Sequence, residues 1–432
     1  MNARQLDWTT TVVIADVAVI LLAGVLLAGL ARRVRQPPVV AELLAGVALG
    51  PSLLGLLPGH LSSRLFPEAG RPFLSVLSQL GILLFMFLIG WEFNRDMLRG
   101  RLRGTVLSVS LSSLALPFAG GVALALALYG QHDRVGGQHV GRTAFVLYVG
   151  TAVSITAFPV LARFLVDSGL GGTRVGGLAL ASAAVCDALS WLLLAAVVAV
   201  AQAAGPAGLL RTAAELAGYL LVVLLAVRPA LRALVRRWDG RPRQAALAAP
   251  VAAGVLLSAA ATSWLGIHAI FGAFLFGCVM PREPLEPLIR QVRVPLEQVS
   301  RLLLPVFFIQ VGLSVDIRSL SGGDLLAGAA ITAVACAGKL LGAVLPARLT
   351  GLGWREAGRL GALMNMRGLT ELIVLQVGAA LGVLDDRLYT LMVLMALATT
   401  AATGLFVRHR PPESRRPPER TGDPAEPASL SL

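Results

Sequence analysis

Apolar residues run along this chain in unbroken blocks of about 20, separated by short clusters rich in arginine, proline and glycine. The blocks show neither the alternation of a half-buried strand nor the single stripe of a soluble amphipathic helix. Wound as helices, blocks of this length match the ~30 Å hydrocarbon core of a bilayer. About thirteen can be counted, at roughly 9–31, 37–57, 73–93, 105–129, 143–165, 174–201, 208–227, 245–262, 265–281, 295–315, 324–349, 358–383 and 387–407. The pattern predicts an all-α polytopic membrane protein of about 13 transmembrane helices, without strands. The first block follows a segment carrying only Arg4 and Asp7 and no small-residue cleavage site, so it reads as a retained span. Residues 408–432, rich in Pro, Arg and Glu, read as a disordered cytoplasmic tail with no soluble regulatory domain after the membrane part.

The blocks also repeat weakly. LLAGVALGPSLLG in the second is echoed by IFGAFLFGCVMP in the ninth, and LSQLGILLFMFLIGWEFNRD in the third by LEQVSRLLLPVFFIQVGLSVD in the tenth. Counting spans gives the second and ninth opposite directions. The reading is an inverted repeat, spans 2–6 against 9–13, an architecture of secondary transporters.

Composition supports the membrane reading: 56% of residues are hydrophobic and 14% charged, against about a quarter charged in soluble domains. The net charge of +13 raises nucleic acid as a partner, but the arginines sit in loops, with 27 on one side of the counted topology and 8 on the other. That asymmetry places the chain in a cell (inner) membrane with its N-terminus outside and its C-terminus cytoplasmic, and argues against a nucleic-acid partner. Cys186, Cys278 and Cys336 all lie in apolar blocks without zinc-type or disulfide-type spacing. The histidines have no partner at metal-ligand spacing, and there is no nucleophile–base pattern or phosphate-cradling loop. No enzyme activity and no cofactor are expected.

Charge within a bilayer is costly, so each mid-span ionisable group needs a reason. Those groups are Asp16, Asp187, Lys339, Arg367 and Glu371, with Glu42, Glu92 and Glu215 nearer span ends. Asp187 and Lys339 lie near the midpoints of spans 6 and 11. Lys339 is the single lysine in a chain with 36 arginines. A buried lysine can give up its proton, whereas a guanidinium stays charged, so the choice points to a site that needs a removable proton. A structural ion pair or a snorkelling side chain is the other reading. Span 5 carries Gly150, Thr151, Ser154, Thr156 and Pro159 at its middle, and span 12 carries Asn365, Gly368 and Thr370 at the matching place. Small polar residues and a proline allow a helix to open. Two discontinuous helices at corresponding places of inverted halves point to an ion site, while an ordinary proline kink would explain one of them. Arg367 and Glu371, four apart, read as a structural pair that neutralises charge near the break. Asp16 reads as a helix–helix or subunit contact.

The runs SITAFPVLARFL, ASAAVCDALSWLLLA and GKLLGAVLPARLTGLGWREAGRLGALMNMRGLTELIVL, with QPPVVAELLAGVALGPSLLG and LGILLFMFLIGWEF, resemble the monovalent cation:proton antiporter superfamily. The resemblance is to its second branch, which holds bacterial sodium/proton and potassium-efflux antiporters and plant cation/proton exchangers, and it covers nearly all of residues 10–407. It implies a transmembrane antiporter domain over 1–407 in a homodimer, with two discontinuous crossing helices. A core at about 105–201 and 324–407 would slide past a dimerisation scaffold at about 9–93 and 245–315, with a linker helix at about 208–227. By the same resemblance Asp187 falls on the ion-binding aspartate, Thr151 and Ser154 on the first crossing, and Lys339 on the basic residue of the opposing core helix. Cys186 departs from the family, which carries a second aspartate or an asparagine there. A neutral thiol is a poor partner for an ammonium.

The expected activity is exchange of a monovalent cation, Na⁺ or K⁺, for H⁺ by elevator-type alternating access. Asp187 would hold either the transported metal ion or a proton. With one acid at the site instead of two, electroneutral exchange is expected. The alternative is a gated potassium-efflux pathway or membrane sensor on the same scaffold without tight proton coupling. The partners implied are monovalent cations, protons, the lipid bilayer and a second copy of the chain.

Overall fold

Backbone N–H and C=O groups in hydrocarbon have no water to bond, so apolar blocks must satisfy them within helices. A computed structural model describes residues 3–33, 38–56, 61–92, 103–170, 173–202, 206–238, 247–266, 268–283 and 285–408. The predicted tail from residue 409 onward lies outside these. The last helix extends to Arg408, one residue into the stretch predicted as tail.

In order the helices are α1 Ala3–Arg33, α2 Pro38–Leu49, α3 Leu61–Leu65, α4 Arg71–Glu92, α5 Arg103–Leu128, α6 Arg142–Ser154, α7 Phe158–Asp167, α8 Arg174–Gln202, α9 Pro206–Val222, α10 Arg228–Trp238, α11 Ala248–Trp264, α12 Ala269–Val279, α13 Leu285–Leu288, α14 Val294–Leu313, α15 Gly322–Leu349, α16 Trp354–Met364, α17 Leu369–Ala380 and α18 Asp386–Arg408. Among the described residues nine helical stretches are long and apolar enough to cross a membrane, and three more apolar helices are shorter. The blocks expected at 265–281 and 358–383 give the short α12 and the pair α16 and α17. Strands were not expected. A small antiparallel hairpin, β1 Arg134–Val135 with β2 Gln138–His139, closes the connection from α5 to α6, turning on Gly136 and Gly137 at φ +57° and +81°. It lies in a polar loop, where apolar patterning carries no strand signal.

The helices pack as two bundles. One is built from α1, α2, α4, α11, α12 and α14, the other from α5 to α8 and α15 to α18. Helices α9 and α10, joined through a π-helical turn at Val223–Val227, run between them and touch α8 at one end and α12 at the turn. In the first bundle two crossings are made glycine to glycine. A Cβ on Gly312 would lie 2.6 Å from Gly46 Cα, and one on Gly277 would lie 3.0 Å from Gly90 Cα. Small residues at such contacts let backbones approach, which supplies the packing that drives helix association in lipid. In the second bundle α15 lies along α5, with α6 packed on α5 and α16 on α15.

Apolar clusters divide along the membrane normal. One lies wholly in the second bundle, on the side away from the hairpin, and includes Val106, Leu161, Leu178, Ala343 and Leu360. Another joins the bundles. Its members from the second bundle, among them Phe145, Val149, Trp191, Leu194, Leu372 and Leu388, lie on the hairpin side of the helix breaks, except Ile155, which sits in the first break itself.

Gly277→Val should lower the thermal midpoint of the purified protein, with a cost of about 2 kcal/mol or more from overpacking against the Phe87 carbonyl and Trp91. Gly177→Ala, in open space within α8, should leave it unchanged or raise it. Fluorescence-detected melting in detergent reads both.

Candidate ion-binding site

Two helices of the second bundle open at their middles, and the broken ends meet. α6 stops at Ser154 and α7 begins at Phe158, leaving Ile155, Thr156 and Ala157 non-helical; α16 stops at Met364 and α17 begins at Leu369. Each break exposes C-terminal carbonyls and N-terminal N–H groups that need partners inside the protein. Part of that need is met between the breaks. The Ala157 N–H donates to the Met366 carbonyl at 3.3 Å. The Thr370 hydroxyl donates to the Thr156 carbonyl at 3.0 Å, and the Thr400 hydroxyl to the Arg367 carbonyl at 2.8 Å. Gly368 takes φ +158°, and a Cβ there would meet Val160 Cγ2 at 2.7 Å, so the second break closes on the start of α7 only with glycine at this place.

Pro159 was expected to break its helix. It instead occupies the first turn of α7, just past the break, where a missing N–H takes nothing from the helix. The opening itself falls on Ile155, Thr156 and Ala157.

Charged side chains meet the remaining ends. The Arg367 guanidinium, fully buried, donates to the Val153 carbonyl at 2.5 Å and the Ala152 carbonyl at 3.5 Å, setting a cation on the negative end of α6. It also pairs with Glu371 at 2.9 Å. The pair predicted from the i, i+4 spacing is present, but Arg367 stands in the break before α17 rather than one turn along it. At the other half-helix the Phe158 N–H, at the start of α7, donates to Asp187 Oδ2 at 3.2 Å. Asp187 Oδ1 is buried and has no hydrogen-bond partner among the described residues, and the same holds for Asn365 Oδ1 in the second break. Asn365 Nδ2 donates to Cys336 Sγ at 3.5 Å.

Lys339, fully buried, donates from Nζ to the Thr156 hydroxyl at 2.5 Å. Cys186 bonds elsewhere, as expected of a neutral thiol. The Cys186 thiol donates to the Ser110 carbonyl at 3.3 Å and lies 3.5 Å from the Ser113 hydroxyl, both on α5. A thiol finds a carbonyl acceptor more readily than it stabilises an ammonium, so the lysine turns to a hydroxyl. Thr151 and Ser154 are fully buried beside the break, and their hydroxyls donate to the Leu147 and Thr151 carbonyls at 2.7 Å each. Both keep lone pairs free.

The sodium/hydrogen exchanger transmembrane family matches residues 17–409. The chain belongs to the sodium/hydrogen exchanger family. It is a multi-pass membrane protein, and its relatives are transporters. The Na⁺/H⁺ antiporter NhaS4 of Synechocystis is 38% identical over 403 residues, covering 92% of this chain and 97% of that protein. Cation/H⁺ antiporter 20 of Arabidopsis thaliana is 36% identical over 419 residues, and K⁺/H⁺ antiporter 1 of Saccharomyces cerevisiae 32% identical over 390. The chain spans 48% and 44% of those two proteins' lengths. In fold it is similar to the solved structure of the sodium proton antiporter MjNhaP1 from Methanocaldococcus jannaschii, with TM-score 0.64 at 15% identity, covering 92% of this chain and 97% of that one.

Three contacts carry no signal in the sequence. Thr156 is one of several small polar residues in span 5, and nothing in the sequence marks its hydroxyl as the lysine's acceptor. The capping of α6 by Arg367 joins residues 214 apart. His132, given no chemistry, is buried in the loop after α5 with Nδ1 2.6 Å from Asp385 Oδ2. Away from the crossing, Asp16 is buried within α1 as a contact residue would be, and its Oδ2 has no partner among the described residues. Glu92 pairs with Arg293 between α4 and the start of α14, and Glu215 with Arg211 at 2.8 Å.

Arg367→Ala leaves Glu371 as a buried, uncompensated charge and removes the cap of α6, so it should destabilise the protein by about 3–5 kcal/mol. Adding Glu371→Gln should recover part of that loss. Thermal melts of the single and double variants form the cycle that reads it.

Proposed function

We propose that the protein exchanges a monovalent cation, Na⁺ or K⁺, for H⁺, with Asp187 as the group both compete for. One observation carries this reading. Asp187 Oδ1 is a buried carboxylate oxygen with no protein partner among the described residues, held beside two opened helices. Leaving a buried charge so incompletely satisfied is costly unless a proton or a metal ion completes it. A carboxylate cannot hold both, and exclusive occupancy is sufficient to couple the two fluxes.

Thr151 and Ser154 are the hydroxyl ligands of the site. Their protons are engaged with helix carbonyls, so their lone pairs are what a dehydrated cation would meet. Lys339, tethered to Thr156, supplies the compensating positive charge when the site holds neither ion. Cys186, turned to α5, adds no second titrating acid. One carboxylate per site gives one proton per cation, hence electroneutral exchange.

The transport step is an elevator movement of the second bundle, as core, past the first, as scaffold. Two features support it: the separate packing of the two bundles, and an apolar boundary that joins them from the level of the first break to the hairpin side. The crossings of α2 on α14 and of α12 on α4 are images of one another under the pairing of spans 2 and 9 and of spans 3 and 10, which supports the inverted repeat and the thirteen-span topology. The arginine asymmetry supports a cytoplasmic C-terminus, and the largely exposed apolar surface of α1 suits a homodimer contact or lipid.

In proteoliposomes, Na⁺ or K⁺ added outside should drive protons out of acid-loaded vesicles, and Asp187→Asn should abolish this while leaving the elution profile intact. Because protons compete for the same oxygen, the apparent KM for the cation should rise as pH falls on the side of addition, approaching tenfold per pH unit once the carboxyl is mostly protonated. Exchange retained in Asp187→Asn removes this residue from the role, and a net exchange driven by an imposed membrane potential contradicts the one-for-one stoichiometry.

A further inference from the structure

Trp191 lies on α8 one turn beyond Asp187, on the hairpin side of the breaks, and so shares the face that carries the carboxylate. The residue is 3% exposed. It reaches across the bundle boundary to two phenylalanines of α12, Phe271 at 6.3 Å in an edge-on contact and Phe274 at 6.4 Å. Those two residues are three apart and share one face of α12. The backbones of α8 and α12 make few if any close approaches, so the boundary at this level is filled mainly by side chains. On the opposite side of Asp187, the apolar cluster around Leu161 and Leu178 includes no residue of the first bundle.

The indole has a second property. Its Nε1–H is buried and has no acceptor among the described residues, and neither does the neighbouring Ser190 hydroxyl. An orphan donor in an apolar contact is an unfavourable choice where phenylalanine would fill the same space. It suits a ring that leaves this contact during the cycle and finds water or a carbonyl when it does.

We propose that Trp191 is the gate of the bundle boundary. Wedged against Phe271 and Phe274, it seals Asp187 from the solution on the hairpin side, and its release opens that side. The seal depends on ring volume, so an aromatic ring must fill the gap whenever Asp187 faces the other solution. This gate rests on the antiport reading for its purpose, but its test needs no transported cation.

The test uses the full chain in proteoliposomes loaded with acid, in choline buffer with a permeant anion to discharge the potential, so that neither Na⁺ nor K⁺ is present. Wild type should hold the gradient as protein-free vesicles do. Trp191→Ala should raise the proton leak at least five-fold, and Phe271→Ala, which removes the same contact from α12, should raise it too. Trp191→Phe should stay within two-fold of wild type. If Trp191→Ala fails to fold, Phe271→Ala carries the comparison. Leaks at the wild-type level in both alanine variants, or a Trp191→Phe leak equal to that of Trp191→Ala, overturn the gate. Adding Na⁺ or K⁺ to the wild-type vesicles tests antiport separately: no proton movement there defeats the exchanger reading and leaves the leak comparison standing.

Discussion

Two helices opened at mid-membrane leave backbone donors and acceptors that neither lipid nor their own helices can satisfy, and the second bundle is organised around meeting that need. The breaks bond to each other where they cross, through Ala157 to Met366 and Thr370 to Thr156. What remains is assigned by sign. The negative end of α6 takes Arg367, and the positive end of α7 takes Asp187. Without the breaks there would be no reason to bury these charges, and without the charges the breaks would be too costly to keep.

The arrangement separates two kinds of buried ion. Arg367 is engaged by two carbonyls and by Glu371, so it can neither move nor exchange its partner cheaply. Asp187 has one backbone donor on one oxygen and nothing on the other among the described residues. The first is a fixed charge that holds the crossing together. The second is the group that the proposed exchange requires to be filled by a proton or a cation. Lys339 stands between these cases: fully buried, but held by a neutral hydroxyl instead of a carboxylate.

Much of this could be read from the residues alone. Continuous apolar blocks named the class of protein, and the cost of charge at depth singled out Asp16, Asp187, Lys339, Arg367 and Glu371 among the ionisable groups. Small polar residues in spans 5 and 12 located the breaks to within a few positions. Pro159 pointed to the right place for the wrong reason, since it starts a half-helix rather than interrupting one. What could not be read was which group bonds which. Lys339 to Thr156 spans 183 residues, and the Arg367 cap 214. The direction of the Cys186 thiol depends on Ser110 and Ser113 of a helix 76 and 73 residues earlier. Such partners are set by tertiary crossing, for which spacing along a helix gives no signal. The His132–Asp385 pair escaped for the same reason.

The central claim is that a cation and a proton compete for one carboxylate, and calorimetric titration of the purified protein with Na⁺ and K⁺ in buffers of different ionisation enthalpy tests it most directly. The account predicts that the observed heat changes with the buffer, in proportion to as much as one proton released per cation bound, and that Asp187→Asn abolishes that dependence. Saturable cation binding by the wild type with a heat independent of the buffer, at a pH where the antiport is half-active, would contradict it.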